Sequence, residues 1–392
     1  MFRIFLTMIT PDHKSGDGLT SMTIVFVCPS RSNGGLEMTT VRLASALTVA
    51  GMPVAVAAPI ASPIAEHART QNVAVHDFAP RTKYGDLFAV KRLNTIMRSV
   101  NATHAVLLRS QDISLAALSH RALPNVLWTF YQQMQSAVNK RDLLHRWMYS
   151  HLALWLTLTE RMRNDVLRCT TMPADRIHVI PLGRDLAAFD PLRINPETAR
   201  QRFSLPPHTP IVGMIGRLDP QKGQEDLLRA VPVVRRTHPK ACYVIAGEET
   251  RDEHGYASTL RSLVETLGIS DVVQFLPQTN DVAQLLSTFD VFVMPSHSET
   301  YGLILIEAMA MARPIIATDA GGVPELARHD KEALLVLPKS PGHLARAITR
   351  LLDSAQMRAR LATAARDRAL AEFGEERCTQ VFLNALLSAQ PI

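Results

Sequence analysis

Two cations stand five residues apart in Gly216-Arg217-Leu218-Asp219-Pro220-Gln221-Lys222-Gly223, directly after the apolar run 211–215. An arginine can grip phosphate oxygens with a planar fork, a lysine acts as a point charge, and a glycine lets the backbone turn close to a ligand. Such a loop could clamp a diphosphate, although a basic sheet edge has the same appearance. It is not a Walker A loop, because GxxxxGK[ST] does not occur there. A second group is Ser298-Glu299-Thr300-Tyr301-Gly302-Leu303-Ile304-Leu305-Ile306-Glu307. Gly302 precedes an apolar run, 303–311, that reads as a helix, whose first amides could hold an anion. Glu299 falls in the loop before that helix and Glu307 inside it, about 7.5 Å along the axis from Gly302. Two carboxylates so placed suit two hydroxyl groups of one extended ligand. Glu307 sits among Ile304, Leu305, Ile306 and Ala308, where an unpaired carboxylate is costly. Two glycine pairs complete the set, in Asp319-Ala320-Gly321-Gly322-Val323-Pro324-Glu325 and in Asn33-Gly34-Gly35-Leu36-Glu37. Either pair alone is equally a tight turn.

The elements that must carry these residues alternate. Apolar runs predict strands over 23–28, 54–58, 105–108, 126–129, 152–158 and 178–180, with a helix over 37–50. Residues 184–210 hold five prolines and read as a connector. Strands then resume over 211–215, 242–246, 272–275, 291–294, 315–318 and 334–336, and an amphipathic tail runs over 357–387. Short apolar runs separated by helices and turns are what doubly wound α/β sheets produce, so the chain reads as two Rossmann-like domains in tandem. Ligands of such sheets bind beyond the carboxyl ends of the strands. All four motifs fall there.

The bulk composition bounds the function. With 392 residues, 47% hydrophobic and 20% charged, the chain can build sizeable cores. Cys28, Cys169, Cys242 and Cys378 form no CxxC pair, which argues against a zinc site or disulfide framework and suits a reducing cytosol. No run of 18 uninterrupted apolar residues predicts a membrane span, and the N-terminus does not read as a signal peptide. Residues 1–21 are expected to be poorly ordered, and Met22 is a candidate start. Residues 1–190 carry 20 Lys/Arg against 13 Asp/Glu, a balance of +7, whereas the remainder carries 22 against 23. That asymmetry predicts an anionic partner for the first half, with an ordinary solvated surface as the bland alternative. Arg81, Lys83, Lys91, Arg92 and Arg98 face the single acid Asp86, with Tyr84 and Phe88 among them, and Lys140 to Trp147 adds more cations and apolar residues. Together they predict docking on an anionic membrane surface.

Taken together, the four motifs resemble glycosyltransferase family 4, the retaining family with the GT-B fold of two facing Rossmann-like domains. The likeness is strongest over 211–337, where GRLxxxKG, the Glu-x7-Glu pair and GGxPE occur in family order, and extends to Val179-Ile180-Pro181-Leu182-Gly183-Arg184-Asp185, which is similar to the family's VIPNGVD segment. It implies an extension over 1–21, an acceptor-side domain over 22–188, a donor domain over 189–374 and a C-terminal helix over 375–392 packing on the first domain. It implies that Arg217 and Lys222 bind the donor diphosphate, that Glu299 contacts the donor sugar at the reacting carbon, and that Glu307 holds the ribose hydroxyls. Gly216, Thr300, Tyr301, Gly302 and Leu303 complete the donor site. The Gly34-Gly35 turn would approach the donor phosphates from the other domain, and Leu276, with Phe275 and Pro277, would meet the nucleobase. The chain departs from the family where a histidine is common after the strand over 126–129. Tyr131 stands nearest and is the acceptor-side candidate.

The resemblance implies a retaining hexosyltransferase that moves a sugar from UDP-hexose or GDP-mannose to a saccharide or lipid-linked acceptor. Its setting would be cell-envelope polysaccharide, lipopolysaccharide or glycolipid synthesis, in the cytoplasm or at the inner face of the membrane. No DxD motif occurs, so protein cations are expected in place of a metal, and no cofactor is expected. A nucleotide-sugar epimerase or phosphorylase on the same scaffold is the alternative enzyme. A nucleic-acid-binding protein, suggested by an isoelectric point of about 9.3, is disfavoured because no helix-turn-helix, zinc-finger or RNA-recognition signature is present.

Overall fold

The computed structural model describes residues 22–32, 34–249 and 255–391. The extension over 1–21, the Met22 start and Asn33 of the first glycine turn therefore lie outside the described residues or at their edge.

Apolar runs form the central strands of two parallel sheets and are buried on both faces, as helix-covered parallel sheets require. In the first half the strands are β1 (Ile24–Val27), β2 (Val54–Ala58), β3 (Ala74–Asp77), β4 (His104–Leu107), β5 (Leu127–Tyr131), β6 (Leu154–Thr157) and β7 (Ile177–Val179). They form one parallel sheet in the order β3-β2-β1-β4-β5-β6-β7. The second half contributes β8 (Ile211–Ile215), β9 (Cys242–Ala246), β10 (Val273–Leu276), β11 (Val291–Met294), β12 (Ile315–Thr318) and β13 (Leu334–Val336), in the order β10-β9-β8-β11-β12-β13. The architecture is thus two Rossmann-like α/β domains. One compact unit takes the chain through Leu182 together with Glu376 onward, and the other spans Gly183–Glu375.

Three sequence expectations change. Strand β3 was not among the predicted strands: it is a short edge strand with its first residue exposed and two polar residues, His76 and Asp77, so no apolar run announces it. The proline-rich stretch is more than a connector, because helix Pro196–Arg202 forms inside it. Proline fits the first helical turn, and Asn195 caps it by accepting from the amides of Glu197 and Thr198. The amphipathic tail is two helices, Ala355–Glu372 and Glu375–Ser388, separated at Phe373 and Gly374. In the first unit, Phe382 of the last helix stacks on Phe26 of β1 at 6.0 Å and meets Tyr131 at 5.7 Å.

Helix starts divide into two kinds. Ser62, Asp86, Asp142, Thr159 and Ser354 each cap a helix through a side-chain oxygen. Several others have no side-chain cap, and three of these begin at a left-handed glycine: Tyr256–Thr266 at Gly255, Gln224–Arg235 at Gly223 and Leu303–Ala310 at Gly302. The last two follow β8 and β11.

Candidate active site

Strands β8 and β11 are neighbours in the second sheet, and the order reverses between them: β9 and β10 lie on one side, β12 and β13 on the other. Such a switch point opens a crevice at the carboxyl ends of the strands. The loop Gly216–Gly223 leaves β8 and the loop 295–302 leaves β11 on either side of it. Gly223 lies close against the second loop: its backbone is left-handed (φ +77°), and an added Cβ would stand 2.1 Å from the carbonyl oxygen of Pro295. The amide of His297 donates to the carbonyl of Gln221 at 2.8 Å, and its Nε2 lies 2.7 Å from Oδ2 of Asp226. Both side chains of that pair are largely buried.

This stitching brings two predicted residues together. Lys222 Nζ donates to Glu299 Oε2 at 2.7 Å, and both side chains are mostly buried. The third motif holds the same glutamate from behind. The amide of Gly322 donates to the Glu299 carbonyl at 2.9 Å, and Gly321 is left-handed (φ +60°) with that carbonyl 1.9 Å from where its Cβ would be. The ion pair sits beside two helix starts whose amides no side chain caps, an arrangement that favours negative charge. Gly216 has open space where a Cβ would project. Thr300, Gly302 and Leu303 are half-buried, and Tyr301 is buried.

Other predicted residues stand apart from this pair. Arg217 is exposed and pairs with Asp219 at 3.2 Å, so gripping a phosphate means exchanging one anion for another. Leu276 ends β10, and its carbonyl accepts from the amide of Gly247 at 3.0 Å. Glu307 is buried and not unpaired: Arg184 Nε lies 2.6 Å from its Oε1. In the first unit, Gly34 donates its amide to Glu37 Oε2 at 3.0 Å, and Gly35 opens helix Gly35–Val49 with nothing within 4 Å of a Cβ position.

Tyr131, the acceptor-side candidate, lies in the core rather than on a surface. It is 1% exposed, and its hydroxyl donates to the carbonyl of Ile180 at 3.1 Å. Burial pushes its phenol well above the ordinary range. As placed, it packs against Phe382 and offers an acceptor nothing.

Sequence reasoning passed over His297, Asp226 and Ser296, whose hydroxyl donates to Glu299 Oε2 at 3.5 Å, and gave Arg184 no role. His297 and Asp226 are 71 positions apart, so spacing carries no signal of their contact. The one available cue was position: His297 and Ser296 lie between β11 and Glu299.

Comparison with known proteins shows the family and the fold. Residues 195–368 match the family described as Glycosyl transferases group 1, and residues 33–188 match Glycosyltransferase Family 4. The chain belongs to glycosyltransferase family 4. The D-inositol 3-phosphate glycosyltransferase of Salinispora arenicola is 33% identical over 201 residues, 49% of this chain and 45% of that protein. Its counterpart from Acidothermus cellulolyticus is 35% identical over 185 residues, 46% of this chain and 41% of that protein. The matches thus span less than half the length of these relatives. Among solved structures, a glycosyltransferase from Rickettsia africae superposes with a TM-score of 0.84 at 18% identity, covering 93% of this chain and 97% of that one. Anabaena HepE in complex with UDP gives 0.82 at 20% identity, covering 94% and 100%. At those identities the likeness is one of fold.

Proposed function

We propose that the chain is a retaining, metal-independent glycosyltransferase that transfers a hexose from UDP-hexose or GDP-mannose to a saccharide or lipid-linked acceptor. The observation that carries this is the Lys222–Glu299 pair at the β8/β11 switch point, between two helix starts without side-chain caps. A diphosphate entering there meets Lys222, the helix amides and, once it leaves Asp219, Arg217. These groups stabilise the charge that grows on the diphosphate as its bond to the sugar breaks. Glu299, released from Lys222 by the incoming phosphate, faces the positive charge that develops on the sugar ring. The acceptor hydroxyl forms its bond to the anomeric carbon on the face the diphosphate leaves, and its proton passes to a diphosphate oxygen. Glu307 receives the ribose hydroxyls. Arg217 and Lys222 supply the positive charge that a metal supplies elsewhere. The S. arenicola and A. cellulolyticus relatives are named for a phosphorylated inositol, which fits an anionic acceptor.

That half also presents a surface suited to an anionic bilayer, where a lipid-linked acceptor in cell-envelope glycan or glycolipid synthesis would be met. Leu87, Phe88, Tyr84, Met134, Val138, Leu143, Leu144 and Trp147 are all exposed. The two segments are neighbours: burial, and then the nearby Lys83, hold the Lys140 ammonium below its usual range. Arg81, Lys83, Lys91, Arg141 and Arg146 are exposed among these apolar tips. Asp86 is consumed by the amides of Arg81 and Ala89. Arg92 pairs with Asp77, a second acid beside the run of five cations. No helix among the described residues is long and apolar enough to cross a membrane, so attachment would be peripheral.

The test is turnover of UDP- and GDP-hexoses in EDTA with a panel of acceptors. Nucleoside diphosphate should appear only with acceptor, and the product should keep the donor's anomeric configuration. Release without acceptor, inversion, or a strict requirement for added magnesium or manganese would each overturn a named part of the reading.

A further inference from the structure

We propose that Arg184 is a positioning residue for Glu307, setting that carboxylate to receive the ribose of the donor nucleotide. The inference rests on the reading of Glu307 as the ribose ligand. Glu307 occupies the second turn of helix Leu303–Ala310, flanked by Ile306 and Ala308, both wholly buried. A carboxylate in such surroundings is strongly disfavoured without a counter-charge. Arg184 supplies one, with Nε 2.6 Å from Oε1.

The arginine is itself held on three sides. Its amide donates to the carbonyl of Phe373 at 3.0 Å, and its carbonyl accepts from the amide of Glu375 at 2.9 Å, so that Arg184 bridges Gly374 in parallel fashion. Its guanidinium carbon lies 5.6 Å from the centre of the Phe189 ring. A guanidinium fixed at its backbone and laid over an aromatic face has little freedom to swing away. A carboxylate is planar, so anchoring Oε1 sets the direction of Oε2. Buried ion pairs are often replaceable by apolar residues without loss of stability, so stability alone gives no strong reason for this one. Fixing the direction of a ligand-binding carboxylate does.

A purely structural pair and a positioning pair differ in one readout, the discrimination between ribose and deoxyribose. Titration calorimetry of the full chain would use UDP and GDP and the 2′-deoxy form of whichever binds tighter. Wild-type protein should prefer the ribonucleotide by about tenfold or more, because a site built for a hydroxyl is left unpaired without it. Arg184→Met should reduce that preference below about threefold, leaving affinity for the deoxynucleotide near the wild-type value. Arg184→Lys should fall between. If Arg184→Met lowers the melting temperature but keeps the wild-type preference, the pair is structural and the proposal fails. Should Glu307→Gln abolish the preference while Arg184→Met does not, the ribose role of Glu307 stands and only that of Arg184 is lost. A wild-type protein with no preference, or with no affinity for either nucleotide, removes both. If Arg184→Met does not fold, Arg184→Lys and Arg184→Gln decide by the same ratio.

Discussion

At the scale of residues, the two glutamates of the Glu-x7-Glu pair are given different work by their partners. Glu299 is held by Lys222, the group proposed to bind the diphosphate. Removing Glu299 therefore frees a cation for the nucleotide while removing charge stabilisation from the sugar. Glu299→Ala should lower turnover about 10²- to 10³-fold, with nucleotide affinity unchanged or raised. Glu307→Ala should instead weaken nucleotide binding by about tenfold or more, the usual loss for a hydrogen bond to a charged group. Steady-state kinetics with calorimetry separates the two, and identical profiles for both variants would contradict the assignment. The sequence made both carboxylates legible through their spacing about Gly302. Their partners were harder to see. Lys222 stood in a motif of its own, but Arg184 and the His297–Asp226 contact join residues far apart in the chain. Tyr131 stands nearest the position of the family's histidine, but it ends β5 and its ring packs against Phe382, a contact across the chain that no local pattern announces.

At the scale of elements, a strand is legible where most of its residues are apolar. The second sheet was readable in full, its part-buried edge strand β10 included through Val273, Phe275 and Leu276, and the first lacked only the edge strand β3, which carries His76 and Asp77. Glycines carry a second kind of information, because only some are required by packing. Gly223 is left-handed and its Cβ would strike Pro295, whereas Gly35 has open space above it. Gly223→Ala should thus cost about 2 kcal/mol or more, and Gly35→Ala within about 0.5 kcal/mol, as measured by urea unfolding. Equal effects would show that the two loops are not packed as described. Within β4, burial holds the imidazole of His104 below its ordinary value of 6.5, opposed in part by the backbone of Leu386. The folded state therefore binds a proton less readily than the unfolded chain. The stability this contributes is present above pH 6.5 and is lost as pH falls toward the folded value. His104→Gln should flatten the fall in unfolding free energy below pH 6.5. An unaltered slope would assign it to other groups.

At the scale of the whole molecule, charge and exposed apolar area are concentrated in one unit and the candidate donor site in the other. The exposed tips from Tyr84 to Trp147, ringed by cations worth roughly 1 kcal/mol each near an anionic surface, predict salt-sensitive flotation with anionic liposomes and none with neutral ones. Failure to float with either would remove the membrane without touching the donor site. That site is the central claim, and nucleotide-sugar binding tests it most directly. A panel of UDP- and GDP-hexoses would be screened by thermal shift against the natural chain and an Arg217→Ala/Lys222→Ala double variant. At a hundredfold excess over Kd, a ligand bound to the folded state adds about 2.7 kcal/mol. At least one donor should therefore raise the melting temperature of the natural chain and leave that of the double variant unchanged. No shift with any donor, or the same shift in both proteins, would contradict the account.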